Sequence, residues 1–143
     1  MTAYRAGKHL AESYEPGLRG LGTDGKGEVL VAFSTSGEIS GTVMLQRWPD
    51  TNHLVSGPDE AEIRALAVAP SCQRSGLGSA LLKAVIDRAR DCGVRHLLLC
   101  TQPDMRAARH LYEREGFVRL KERDRKAAEF VLLAYGLVLA DAR

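Results

Sequence analysis

The 143-residue chain reads as one α/β domain built on a single mixed sheet. Three observations predict that class. Ile63 to Ala69 is a nearly continuous apolar run of strand length, interrupted by Arg64 and stopped by Pro70, which cannot donate to a ladder. Leu77, Leu81, Leu82, Val85, Ile86 and Ala89 then recur at helical spacing, with Lys83, Asp87, Arg88 and Arg90 on the opposite face. A second buried run, Val94 to Thr101, follows the helix. Strand, crossover helix and strand imply a parallel pair with a right-handed connection.

The remaining elements follow in order. Ala6 to Tyr14 has the spacing of a short helix with Leu10 and Tyr14 on one side, and Pro16, Gly17, Gly20, Gly22, Gly25 and Gly27 then form a flexible connection. Glu28 to Phe33 reads as a strand, Ser34 to Gly37 as a turn, and Ile39 to Leu45 as the antiparallel partner. Gly41 inside that partner signals a bulge or a close backbone approach. Trp48 to Pro58 is loop, and Gly93 sits where the long helix needs its C-terminal cap. Past Thr101, Pro103-Asp104 opens a helix with Asp104 as its N-cap, Ala108, Leu111 and Tyr112 as its inner stripe, and Gly116 as its stop. Phe117 to Lys121 and Glu129 to Leu139 read as a closing hairpin, joined by a solvated charged link, Glu122 to Lys126. Helices are expected on both faces of the sheet.

Composition narrows the function classes. The chain is 45% hydrophobic and 27% charged, as globular domains are. A net charge of +2 carried on scattered basic residues does not suit nucleic acid. The longest apolar stretch, Phe130 to Ala140, is too short to span a bilayer and contains Tyr135 and Gly136; no signal-like segment opens the chain. Cys72, Cys92 and Cys100 are odd in number and lack metal-ligand spacing, which points to reduced thiols in a cytoplasm and to no metal.

The turn Gln73-Arg74-Ser75-Gly76-Leu77-Gly78 carries the chemistry. A helix start leaves N–H groups without intrahelical partners and adds partial positive charge, so it favours anions such as phosphate. Glycines at 76 and 78 let an anion approach the backbone. The spacing is neither that of a P-loop nor that of a dinucleotide fingerprint. Taken alone, such a turn is equally a plain structural one.

Two ordered motifs add to that reading. Gln73-x-x-Gly76-x-Gly78, after Leu66-Ala67-Val68-x-Pro70, resembles the acetyl-CoA-binding motif of the GNAT superfamily of N-acetyltransferases. Ala107-Ala108-x-x-Leu111-Tyr112-x-x-x-Gly116-Phe117 resembles a second segment of the same family. The resemblance runs from about Gly27 to Leu139 and implies the GNAT acyl-CoA N-acyltransferase fold as a single domain over residues 1–143. It implies acetyl-CoA as cosubstrate, with the backbone of Leu66, Ala67 and Val68 pairing with the pantetheine arm. The N–H groups of Arg74, Ser75, Gly76, Leu77, Gly78 and Ser79 would cradle the pyrophosphate, with Gln73 opening the motif and the Arg74 side chain adding charge. It further implies that the parallel strands part at this point, which makes the Val68 N–H the oxyanion donor. Tyr112 is implied as the acid that protonates the CoA thiolate. Glu62 is implied as the base acting through water, with Glu60 as the weaker alternative. The reaction implied is direct attack by an amine in a ternary complex.

Three features depart from the family pattern. The family opens with a strand and two helices, whereas the 27 residues before Glu28 leave room for one helix at most. So shortened a front would expose a sheet edge that a second subunit could cover. The glutamate twelve residues before the tyrosine and the asparagine seven before it, found in some protein N-terminal acetyltransferases, are here Cys100 and Met105. Of the histidines only His53 is kept open as a base. The rival readings are a non-catalytic acyl-CoA-binding or regulatory domain and a structural domain with no ligand. The acceptor stays open among protein N-terminus, lysine, polyamine and aminoglycoside, with Glu12, Glu15, Asp50, Asp59 and Glu60 as carboxylates that could draw a cation.

Overall fold

The runs spaced for strands form one twisted sheet in the computed structural model, which describes the backbone of residues 4–6 and, in full, residues 27–49, 54–126 and 128–139. The strands are β1 (Tyr4–Ala6), β2 (Glu28–Phe33), β3 (Ile39–Arg47), β4 (Glu60–Val68), β5 (His96–Thr101), β6 (Val118–Arg119), β7 (Arg125–Lys126) and β8 (Val131–Val138). Helix α1 (Leu77–Asp91) joins β4 to β5, and helix α2 (Arg106–Arg114) follows β5. The spatial order is β1-β2-β3-β4-β5-β8-β6, with β7 paired to β8. Neighbours run antiparallel except β4 and β5, the parallel pair that the α1 crossover requires.

Two of these elements sharpen the expectations at the front. The first strand, expected to be absent or reduced, is present but three residues long, pairing Tyr4–Ala6 with Leu30–Ala32. Ala6, the expected first residue of a helix, is the last of that strand; the rest of the segment to Tyr14 lies outside the described residues.

Strand periodicity divides the core between two faces. Leu45, Ile63, Leu97, Leu99 and Tyr135 point to one side, where they cluster with Leu81, Leu82, Val85 and Ala89 of α1 and with Tyr112 of α2. Val29, Val31 and Met44 point to the other, as do Leu98 and Ala134, which pack with Leu54 and Val55. Both described helices therefore share the first face, and among the described residues no helix covers the second. Gly41 meets the expectation of a close approach, since a Cβ there would lie 2.8 Å from Leu81 Cδ1 and 3.0 Å from the Ala67 carbonyl oxygen.

Local details differ from the sequence reading for identifiable reasons. β4 starts at Glu60, three residues early, because Glu60–Glu62 pair with β5 and Ala61 and Glu62 also pair with β3. Asp104 is not the cap of α2. Met105 is, with no side-chain cap bond, because a backbone turn precedes the helix, Met105 N–H bonding to Gln102 O. The charged link is not a free loop either. Lys121–Arg123 is a short 3-10 turn, Arg125–Lys126 pairs with β8, and Arg123 and Asp124 are both bound to partners on β4 and β6.

Candidate active site

β4 and β5 hydrogen-bond only over Glu60–Glu62 and His96–Leu98. Beyond that, β5 continues with β8 to Thr101 while β4 continues with β3 to Val68, so the two strands part. A bulge in β4 marks the departure. Met44 opposes Arg64 and Thr42 opposes Ala67, which leaves two residues of β4 facing one of β3, and Ala65 takes a left-handed φ of 57°. The Thr42 hydroxyl steadies it by donating to Ala65 O at 3.4 Å.

Register also sets which backbone groups face the gap. Ala69 N–H bonds to Ser40 O at 2.8 Å, so Val68, opposite Gly41, falls at a non-hydrogen-bonded position. Its N–H and C=O turn away from β3, toward the side that β5 has left. The Gln73 side chain confirms the direction, donating from Nε2 to Val68 O at 3.3 Å.

The expected anion cradle lies at the end of this strand. A 3-10 turn, Pro70–Cys72, is followed by two left-handed residues, Arg74 (φ 66°) and Gly76 (φ 87°), and then by α1. Ser75 Oγ donates back to Cys72 O and holds the turn. Gly76 caps α1 without a side-chain bond, and the first turn carries no acid. The first intrahelical bond is Ala80 N–H to Gly76 O, so the N–H groups of Leu77, Gly78 and Ser79 have no partner within the helix. Nothing lies within 4 Å of where a Gly76 Cβ would be, so the concavity is open. These features fit a phosphate-bearing ligand. Gly78 has a second role: a Cβ there would come 3.2 Å from Leu111 Cδ2, so its bareness lets α2 close on α1. Ser79 Oγ, donating to Glu115 Oε2 at 2.6 Å, ties the same two helix ends.

Tyr112 is buried on the helix-covered face, 7% exposed, between Phe117 and Tyr135 at ring-centroid distances of 6.1 and 6.2 Å. Burial pushes its phenol above the ordinary value, so the proton stays in place at neutral pH. Its hydroxyl makes no hydrogen bond to another described residue.

Glu62 lies on the other face, 4% exposed, in register with Gln46 and Leu98. The sheet thus separates the two catalytic candidates, and the parting of β4 and β5 begins just past Glu62. Cys100 shares the Glu62 face. Burial first, then the Glu62 charge, pushes its thiol up to about 11, which makes it a poor nucleophile. Arg64 donates to Gln46 Oε1 at 3.3 Å on the same face.

Glu60, the weaker alternative base, is committed elsewhere. Arg123 donates to both its oxygens at 3.0 and 2.7 Å, Ser56 donates from N–H and Oγ at 3.0 Å, and His96 Nδ1 lies at 3.2 Å. Those bonds, the Arg123 guanidinium foremost, hold its carboxyl at about 2. It is a structural anchor. His53 lies outside the described residues, as do Glu12, Glu15 and Asp50. A pocket of about 400 Å³ opens beside the anchor, lined by Leu54, Ser56 and Glu122 to Arg125.

Sequence reasoning missed one residue of this neighbourhood. Tyr135 is fully buried against Tyr112, yet in the sequence it reads only as an interruption in an apolar run. A lone phenol in a buried strand, which must find a hydrogen-bond partner, was the available signal.

Residues 3–117 match the family described as Acetyltransferase (GNAT) family. The chain belongs to the GNAT acetyltransferase family. Among its relatives, the mycothiol acetyltransferase of Paenarthrobacter aurescens (strain TC1) is 36% identical over 92 residues, 63% of this chain and 27% of that protein. The chain thus spans about a quarter of the length of that relative. Of solved structures, the ribosomal-protein-S18-alanine N-acetyltransferase from Escherichia coli superposes with a TM-score of 0.74 at 22% identity, covering 100% of this chain and 97% of that one. A GNAT family acetyltransferase from Elizabethkingia anophelis with acetyl-CoA bound gives 0.66 at 23% identity, over 94% and 86% of the two chains. Those likenesses show the GNAT fold.

Proposed function

We propose that this GNAT domain moves the acetyl group of acetyl-CoA to an amine by direct attack in a ternary complex. One juxtaposition carries the reading: β4 and β5 part directly beside a helix start whose first N–H groups have no partner within the helix. The pyrophosphate sits on the N–H groups of Arg74 to Ser79, and the pantetheine arm pairs with Leu66, Ala67 and Val68 as an added strand. Bound there, the pantetheine takes the Val68 carbonyl that Gln73 otherwise occupies. The Val68 N–H receives the thioester oxygen as it gains charge.

The acceptor enters from the Glu62 face. An alkylammonium with a pKa of about 10.4 must first lose a proton, and Glu62 takes it through water. The amine nitrogen then bonds to the carbonyl carbon and the C–S bond breaks. Tyr112, its proton retained by burial, protonates the departing thiolate.

Thermal shift with CoA, beside free-thiol release from acetyl-CoA with a panel of amines, tests this. The panel is headed by an alanine peptide amide, after the acceptor named for the Escherichia coli neighbour, with lysine, polyamine and aminoglycoside behind it. CoA-dependent stabilisation with amine-dependent thiol release is the expected result. Stabilisation without release would favour a binding domain, and absence of both would sink the proposal.

A further inference from the structure

We propose that Tyr135 is a positioning residue, its buried hydroxyl clamped by Arg109 and Glu113 so that α2 holds the Tyr112 hydroxyl in one direction. This rests on the reading of Tyr112 as the acid. A phenol with no exposed surface needs hydrogen-bond partners, and Tyr135 is 0% exposed. Arg109 Nε donates to its oxygen at 3.1 Å, and Tyr135 donates in turn to Glu113 Oε2 at 3.0 Å. Arg109 also donates from Nη1 to Pro103 O at 2.9 Å, which ties the β5–α2 connection into the same clamp. The guanidinium of Arg119 stands 5.5 Å over the Tyr135 ring and fixes the ring from β6.

The placement of these groups gives them leverage. Arg109 and Glu113 are one helical turn apart, and Tyr112 lies between them on α2, its ring against the Tyr135 ring. Since the Tyr112 hydroxyl has no described partner of its own, its direction follows from ring packing and from the roll of α2. The clamp sets both. Displacement of a proton donor by about 1 Å can cost about a hundredfold in rate, so a residue that touches no substrate can still limit turnover.

A double-mutant cycle tests this, using Tyr135→Phe, Tyr112→Phe and the pair. Thiol release from acetyl-CoA is followed with water and with an alanine peptide amide as acceptors, beside CoA thermal shift. Tyr135→Phe is expected to lower the release rate about tenfold, with KM for acetyl-CoA and the CoA-induced shift within about twofold of the parent. The double variant is expected to be no slower than Tyr112→Phe alone, because the Tyr135 effect passes through the Tyr112 hydroxyl. Glu113→Gln, which keeps an acceptor for the phenol, should retain more of the rate than Glu113→Ala. Additive losses in the double variant, or a Tyr135→Phe protein that only melts earlier at unchanged rate, would overturn the proposal. Should Tyr112→Phe itself leave the rate unchanged, the acid assignment fails first and the positioning role falls with it.

Discussion

Arg123→Ala is expected to destabilise the fold by about 2 kcal/mol at neutral pH, with a loss that fades on acidification. The guanidinium holds Glu60 through both oxygens and also donates to Leu54 O at 3.2 Å, so it joins the 3-10 turn after β6 to the start of β4. It is the main reason that the Glu60 carboxyl falls from 4.5 to about 2. At about 1.4 kcal/mol for each tenfold change in proton affinity, that drop corresponds to about 3 kcal/mol, which water reaching the loop reduces to about 2 kcal/mol. The folded carboxyl is the more acidic, so its contribution is complete above about pH 4.5 and disappears as pH falls toward about 2. Urea unfolding of both proteins at pH values from 7 down to 2.5 should therefore show a stability gap that narrows below about 4.5. A gap constant across that window would mean that Arg123 acts by packing alone. A gap under about 0.5 kcal/mol at pH 7 would make the pair an ordinary surface ion pair.

Other outcomes follow from the site. Tyr112→Phe should slow acetyl transfer about a hundredfold while CoA-dependent stabilisation persists, since the ring packing stays and only the proton donor is lost; unchanged turnover would remove it from the mechanism. Gly76→Val should cost about 1–2 kcal/mol, because φ is 87° there, and should abolish the CoA thermal shift at concentrations that saturate the parent; an intact shift would place the anion elsewhere. In a Cys72→Ser, Cys92→Ser background, Cys100 should react slowly with a disulfide reagent at pH 8, its thiol being held at about 11. Glu62→Gln should speed that reaction by removing the charge beside it, and an unchanged rate would place Glu62 farther from Cys100 than the parted strands imply.

The parts of the fold legible in the sequence were those written in periodicity and glycine placement. Leu77 to Ala89 had a continuous apolar stripe, Gly93 and Gly116 took the left-handed conformations that end helices, and Gly41 proved a close approach. What escaped was set by contacts far apart in sequence. Glu122 to Lys126 looks solvated because charge runs usually are, and nothing local reveals that Glu60, 63 residues earlier, claims Arg123. Asp104 has the side chain of a cap, but it lies inside the Gln102–Met105 backbone turn, which moved the helix start past it. The turn proposed to cradle the cofactor was readable because its amides are local to one stretch of chain. Tyr135 was not, because its importance lies in a helix that precedes it by two dozen residues.

The two faces of the sheet keep the proposed acid, Tyr112, and the proposed base, Glu62, from competing for one space. Parity along β4 sends Ile63 toward the helices and Glu62 away from them, so a base on that strand faces the side opposite Tyr112. In an unbroken sheet a wall of backbone would stand between them. The bulge at Ala65 turns β4 away from β5 just past Glu62, and the wall opens at one place. A thioester laid along the freed edge of β4 would present its carbonyl in that opening, with the amine arriving from the Glu62 side and the sulfur leaving toward Tyr112. In the proposed reaction the amine would add to that carbonyl and the thiolate would leave from the resulting tetrahedral adduct, with no covalent stop on the protein. Straightening β4 is the perturbation that addresses this directly. Deleting Ala65 would remove the bulge while Ala67 and Val68 kept their partners on β3, so that β4 would run on beside β5 past Glu62 and the gap would close. Such a variant should keep its helices by circular dichroism yet lose CoA-dependent stabilisation. If it binds CoA as the parent does, the gap is not where the cofactor arm lies.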